Sequence, residues 1–116
     1  MREKTINALV EMGANMSVGL SNSKPLDGFV YIVSIMQLYE ENGFYFTNMR
    51  ICFEVVARQH NTTWENVMNC VNEAIQNLMS ADNGSKGAAV VKYLGFMPKT
   101  SGNFLAMMYR RLKEEE

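Results

Sequence analysis

The residues best equipped for chemistry stand close together between positions 61 and 77, which read NTTWENVMNCVNEAIQN. Asn66, Asn69 and Asn72 recur at intervals of three, with Glu65 and Glu73 beside them and Thr63 just ahead. At 3.6 residues per turn such spacing puts them along one side of a helix, opposite the apolar residues that alternate with them. The chemistry they offer is hydrogen-bond recognition. An asparagine amide both donates and accepts, and can pair bidentately with the major-groove edge of adenine, but it is too short and uncharged to replace arginine at guanine. A polar helix side of this kind also has a plain alternative, a solvated surface.

Catalysis finds no comparable constellation. There is no nucleophile–base pair with readable spacing and no phosphate-binding glycine loop, and the lone His60 lacks an evident acid partner. The expectation is a protein that is not an enzyme and carries no cofactor. One histidine and two well-separated cysteines do not supply a tetrahedral metal set. Cys52 and Cys70 both fall on apolar helix sides, where buried free thiols of a reducing cytoplasm are expected rather than a disulfide. His60 reads as a solvated or capping side chain, and Trp64 as a core anchor rather than a base-stacking platform.

The elements that must position these residues are all helical. Periodicity appears six times and no stretch sustains strand-like alternation, so the fold class is all-α, a six-helix domain with a helix-turn-helix at about 47–79. The first helix is expected over about Glu3 to Met12, with Ile6, Leu9 and Val10 inward and Gly13 as its stop. A Ser-, Asn- and Gly-containing loop runs from Ala14 to Leu26. Asp27 then reads as the N-cap of a second helix carrying Phe29, Ile32, Val33, Met36 and Tyr39, stopped by Gly43. Thr47 can cap a third helix with Ile51, Cys52, Val55 and Val56 inward, which runs out near Gln59-His60-Asn61. Thr62-Thr63-Trp64-Glu65 has capping-box form, with Thr62 as cap, for a fourth helix reaching about Met79. Its inner side is Trp64, Val67, Met68, Val71, Ala74, Ile75 and Leu78. After an Asp82-Asn83-Gly84 turn, a fifth helix spans Lys86 to Leu94 and ends at Gly95. Ser101 reads as the cap of a sixth, with Phe104, Leu105, Met108 and Leu112 inward, before an acidic tail.

The 116 residues carry 47% hydrophobic and 20% charged side chains, enough to bury one core. No domain linker or internal repeat is visible, so residues 1–116 read as a single domain. The apolar runs fall far short of the ~20 residues a membrane span needs, and Met1-Arg2-Glu3-Lys4 does not open a signal peptide. A cytoplasmic location without membrane contact is expected. Ten methionines read as adaptable core filling. The net charge of −1 is low for a dedicated nucleic-acid binder, which is usually basic on at least one side.

Residues 47–79 nonetheless resemble the helix-turn-helix of the C-terminal, DNA-binding effector domain of the master sporulation-initiation response regulators. The shared features are a leading Thr47, Ala57, the Asn61-Thr62-Thr63 turn and the Val67…Ala74-Ile75 spacing. Upstream, Ile6 to Gly13 is similar to that family's first helix and its terminating glycine, and Gly28-Phe29-Val30-Tyr31-Ile32 to the opening of its second. Downstream, Leu94-Gly95-Phe96 and Thr100 to Met107 are similar to its last two helices. The resemblance implies a six-helix domain that regulates transcription by placing its fourth helix in the major groove of duplex DNA. Such a domain normally follows a phosphorylatable receiver; Met1 lies only a few residues before the first helix, so no receiver is expected within these residues, which read either as a stand-alone paralogue or as the separated effector part of a longer protein. Between Gly13 and Gly28 the chain is several residues longer than the family pattern.

The departure from that family lies in the reading helix. Where the family carries arginines, this sequence has Asn66, Asn69 and Asn72, and Glu73 stands where a basic or neutral residue is expected. The candidate DNA-contacting set is therefore Thr63, Glu65, Asn66, Asn69, Asn72 and Glu73, supplemented by Arg50, Arg110 and Arg111 for phosphates. Across 47–79, Arg50 and Arg58 stand against Glu54, Glu65 and Glu73, so the motif is slightly acidic. The expected function is a DNA-binding transcription regulator with altered or weakened base recognition. The alternative is a degenerate paralogue that pairs with itself or another regulator without specific DNA binding.

Overall fold

The computed structural model describes residues 2–14, 24–42, 48–79 and 88–114. They form α1 (Arg2–Glu11), α2 (Lys24–Asn42), α3 (Met49–Gln59), α4 (Trp64–Met79), α5 (Ala88–Leu94) and α6 (Ser101–Glu114), with no strand among the described residues. The all-α class expected from periodicity is what the structure has. No described helix is long and apolar enough to cross a membrane.

The longest helix, α2, organises the others. It contacts α1, α3, α4 and α6, and its contact with α4 is the most extensive in the molecule. Gly28 explains how close the two come: a Cβ there would stand 2.0 Å from the Cys70 carbonyl oxygen and 2.6 Å from the Ala74 Cβ. A bare α-carbon on one helix and small side chains on the other let the backbones touch. Around this crossing Phe29, Ile32, Val33, Met36 and Tyr39 of α2 are buried, as the periodicity predicts. They meet Val67, Val71, Ala74, Ile75 and Leu78 of α4, and Phe104, Leu105, Met108 and Leu112 of α6 complete the core.

Helix ends follow sequence chemistry, with several shifts of position. Gly13, at φ 107°, closes α1 as expected, with Ala14 N–H donating to Leu9 O (2.8 Å) and Gly13 N–H to Val10 O (3.0 Å). Helix α2 starts at Lys24, so positions 24–26 are helical rather than loop, and Asp27 lies in the first turn rather than at the cap. Pro25 suits that turn, where its missing N–H has no intrahelical acceptor to lose. The N-cap of α3 is Asn48, whose Oδ1 accepts from the Arg50 N–H (3.1 Å). Thr47 and Gly43 lie outside the described residues, as do Lys86 and the 82–84 turn. For α6 the cap is Thr100 rather than Ser101: the Asn103 N–H donates to Thr100 Oγ1 (3.0 Å) and Asn103 Oδ1 accepts from the Lys99 N–H (3.3 Å). Gly95, at φ 91°, ends α5 with a bond to Val91 O (2.7 Å).

Two inner sides are rotated from their expected positions. In α1 the buried residues are Thr5, Ala8 and Leu9, continued by Met12, while Val10 is 52% exposed. In α3 they are Cys52, Phe53, Val56 and Ala57, while Ile51 is 47% exposed and rims an apolar cleft of about 180 Å³ with Leu38, Cys52 and Val55. Short helices leave the apolar arc ambiguous by about one residue, and here packing against α4 and α2 buries Phe53 and Ala57 in place of Ile51. Of the methionines, Met12, Met36 and Met108 are fully buried and Met49, Met68, Met79 and Met107 pack at the core margin, whereas Met97 is exposed. Both cysteines are buried thiols outside any disulfide.

Candidate functional site

The two helices singled out by sequence meet at a short corner. Four residues separate Gln59 from Trp64, and among them Asn61 takes the left-handed conformation at φ 58°. Asparagine is one of the few L-residues that adopt it readily. Thr62 N–H donates to Ala57 O (2.9 Å) and Asn61 N–H to Arg58 O (3.4 Å), the same closure pattern as at Gly13. His60 ties the corner to α2: its Nε2 lies 2.8 Å from Ser34 Oγ, and its ring stands edge-on to Tyr31 at 5.1 Å. Of the two readings, solvated or capping, the structure has His60 as the C-cap residue of α3, with a half-buried side chain bonded to α2 rather than to a helix end. No sequence signal linked Ser34 to His60, because the pairing spans helices.

The cap of α4 sits one residue later than expected. Asn66 N–H donates to Thr63 Oγ1 (3.2 Å), so Thr63 is the cap, and Glu65 remains exposed instead of reaching back. Asn66 is engaged instead, though not as a capping-box acceptor: its Nδ2 donates to Thr62 Oγ1 (3.0 Å) and Tyr31 Oη (3.4 Å) while its Oδ1 accepts from Cys70 Sγ (3.7 Å). Burial raises the Tyr31 phenol above its usual range, reinforced by Cys70 and Asp27 and partly offset by the Asn66 bond. Asn66, nominated as a base reader, is thus turned toward α2 and spends its donors on the protein.

The remaining nominated residues divide between exposed and engaged. Glu65, Asn69 and Glu73 are exposed, as is Gln76, which the 3.6-residue period adds to the same stripe. Asn72 is half-buried, accepting from Ser101 Oγ at the start of α6. Ser101 is followed by Gly102, where a Cβ would lie 3.8 Å from the Met49 side chain. The first turns of α3 and α6 therefore meet beside the middle of α4, each bringing the positive end of a helix dipole. An open groove of about 340 Å³ runs there, lined by Asn72, Gln76, Met79, Lys99, Thr100 and Ser101. Lys99, between α5 and α6, thus comes to the edge of the α4 stripe.

The arginines are placed differently from one another. Arg50 stacks its guanidinium over the Trp64 indole (4.6 Å) and pairs with Glu54 (3.0 Å), yet its side chain is 63% exposed. It lies at the N-terminal end of the stripe. Trp64 is half-buried against the core, so it anchors α4 as expected while its ring also seats Arg50. Arg111 lies over the Tyr93 ring (5.3 Å) and donates Nε–H to Tyr93 O (3.2 Å), joining α6 to α5. Arg110 is exposed on α6. Thr63, Glu65, Asn69, Glu73 and Arg50 gather around the α4 surface, whereas Asn66 and Arg111 serve the fold. Among the described residues no cluster of His, Cys, Asp and Glu could hold a metal ion. No protein-family model, curated protein or solved structure matches this chain.

Proposed function

We propose that this chain is a DNA-binding transcription regulator that lays α4 in the major groove of duplex DNA, with base recognition altered from that of the sporulation-regulator effector domains it resembles. The observation that carries the proposal is the α3–α4 corner. A four-residue turn, held by left-handed Asn61 and the His60–Ser34 contact, joins the two helices, and α4 turns a continuous polar stripe outward while its other side is seated on Gly28. Arg50 at one end and Lys99 at the other flank the stripe with exposed cations, supplying phosphate contacts that α4 itself does not. A cytoplasmic location and a role in sporulation belong to the same proposal and rest on the resemblance.

Fluorescence anisotropy with labelled duplexes tests it. Binding at low salt is expected, weakening linearly in log–log form as salt rises, and Arg50→Ala and Lys99→Ala should each reduce that slope by about one. Folded protein that binds no duplex at micromolar concentration overturns the proposal.

A second reading is favoured by one observation: α4 carries outward carboxylates at Glu65 and Glu73 and no cation. On that reading the stripe meets a basic protein surface, in another regulator or a second copy. Light scattering and affinity capture discriminate, since a monomer that captures no partner but binds duplex supports the first reading.

A further inference from the structure

The exposed stripe of α4 is chemically one-sided. Glu65, Asn69, Glu73 and Gln76 follow one another at intervals of four, four and three. They stay on one side over about 16 Å of helix at 1.5 Å per residue. The carboxylates only accept hydrogen bonds, and the amides donate and accept. With Asn66 withdrawn onto Tyr31 and Thr62 and no cation on α4, nothing in the stripe resembles the donor fork that matches guanine O6 and N7.

The four bases differ in what they show such a surface. Adenine presents N7 as acceptor beside the N6 amino donor, which a single amide satisfies bidentately, and cytosine presents its N4 amino donor to a carboxylate. Guanine and thymine show acceptors, which a carboxylate meets with repulsion. Resting on the DNA-binding reading above, we infer that α4 selects amino-bearing bases on the contacted strand. Asn69 and Gln76 take adenine, Glu65 and Glu73 take cytosine, and guanine is excluded. The two amides are about 10.5 Å apart along the axis, close to three base-pair steps, so one helix reaches both within a half-site. The acidic residues that weaken general attraction to phosphate thereby become the selective part of the surface: a carboxylate is tolerated only where an amino group answers it.

The test is selection from a random duplex pool at low salt by the full chain, followed by sequencing and by affinities for selected sites. Enrichment of adenine and cytosine on one strand is expected. Glu73→Gln, an exposed and nearly isosteric change, should move one preferred position from cytosine toward adenine, altering the ratio of the two affinities by about tenfold. Retained binding with guanine enriched at the contacted positions, or with no base preference, overturns the inference and leaves the DNA-binding reading standing. Absence of binding to every duplex overturns both.

Discussion

The two sides of α4 are built on opposite principles. On the inner side, Gly28 of α2 meets Cys70 and Ala74 at close backbone approach, and the apolar row is defined by packing. On the outer side, Glu65, Asn69, Glu73 and Gln76 touch little and are defined by what they donate and accept. Shape on one side makes the helix rigid, and rigidity lets a row of short side chains act as a fixed pattern. Asn66 marks the border. By type it belongs to the outer row, but its bonds to Thr62 and Tyr31 place it with the inner one.

That contrast predicts that inner changes alter stability and outer changes alter recognition. Gly28→Ala should be the most damaging: its methyl would enter the Cys70 carbonyl, and forcing α2 and α4 apart should cost about 3 kcal/mol or more in urea unfolding. Alkaline pH offers a second test of the inner side. Burial raises the Cys52 thiol from 9.0 to about 11, with a hydrogen bond to Tyr39 opposing the rise. The folded state keeps that proton after the unfolded chain has lost it. Its contribution is therefore full below about pH 9 and falls as pH climbs toward about 11, by roughly 2–3 kcal/mol. Cys52→Ala should flatten that part of the stability–pH curve measured by denaturant titration.

The border residue sharpens the comparison directly. Asn66→Ala should cost about 1–2 kcal/mol, because it removes the partner of Thr62 and Tyr31, whereas Asn69→Ala should change stability by less than about 0.5 kcal/mol. Equal costs would erase the distinction. The smallest effect belongs to the corner. Asn61→Gly should be neutral or stabilising by a few tenths of a kcal/mol, since glycine adopts the left-handed conformation without strain, while Asn61→Ala should cost about 1 kcal/mol. Thermal unfolding of the pair measures both.

Long amphipathic segments were legible in the sequence. The inner rows predicted for α2 and α6 are buried, and most of that of α4, because each helix buries a wide apolar arc; the structure adds Tyr31, Ile35 and Leu38 on α2, Cys70 on α4 and Tyr109 on α6, and leaves Trp64 and Met68 half-buried. The short helices α1 and α3 were not fully legible: Val10 and Ile51 are apolar but exposed, and packing against the neighbouring helices buries other positions instead. Caps shifted by one residue at α3, α4 and α6, where adjacent Thr, Ser or Asn residues compete for the same role. The outward row of α4 was legible as a row. The inward turn of Asn66, the Ser101 contact of Asn72 and the arrival of Lys99 beside Gln76 were not, since each depends on a partner from another helix. Sequence periodicity assigns a side chain to an arc, and only the neighbouring helix decides whether a residue at its edge faces in or out.

The most direct test of the account is a single exchange on the outer row. Asn69 is exposed and makes none of the contacts that hold Asn66. Asn69→Arg should leave unfolding unchanged and tighten binding to a random duplex at low salt, by about fivefold or more, with a steeper salt dependence from the added phosphate contact. An Asn69→Arg protein that folds normally but binds the duplex no better than the parent would contradict the claim that this side of α4 meets DNA.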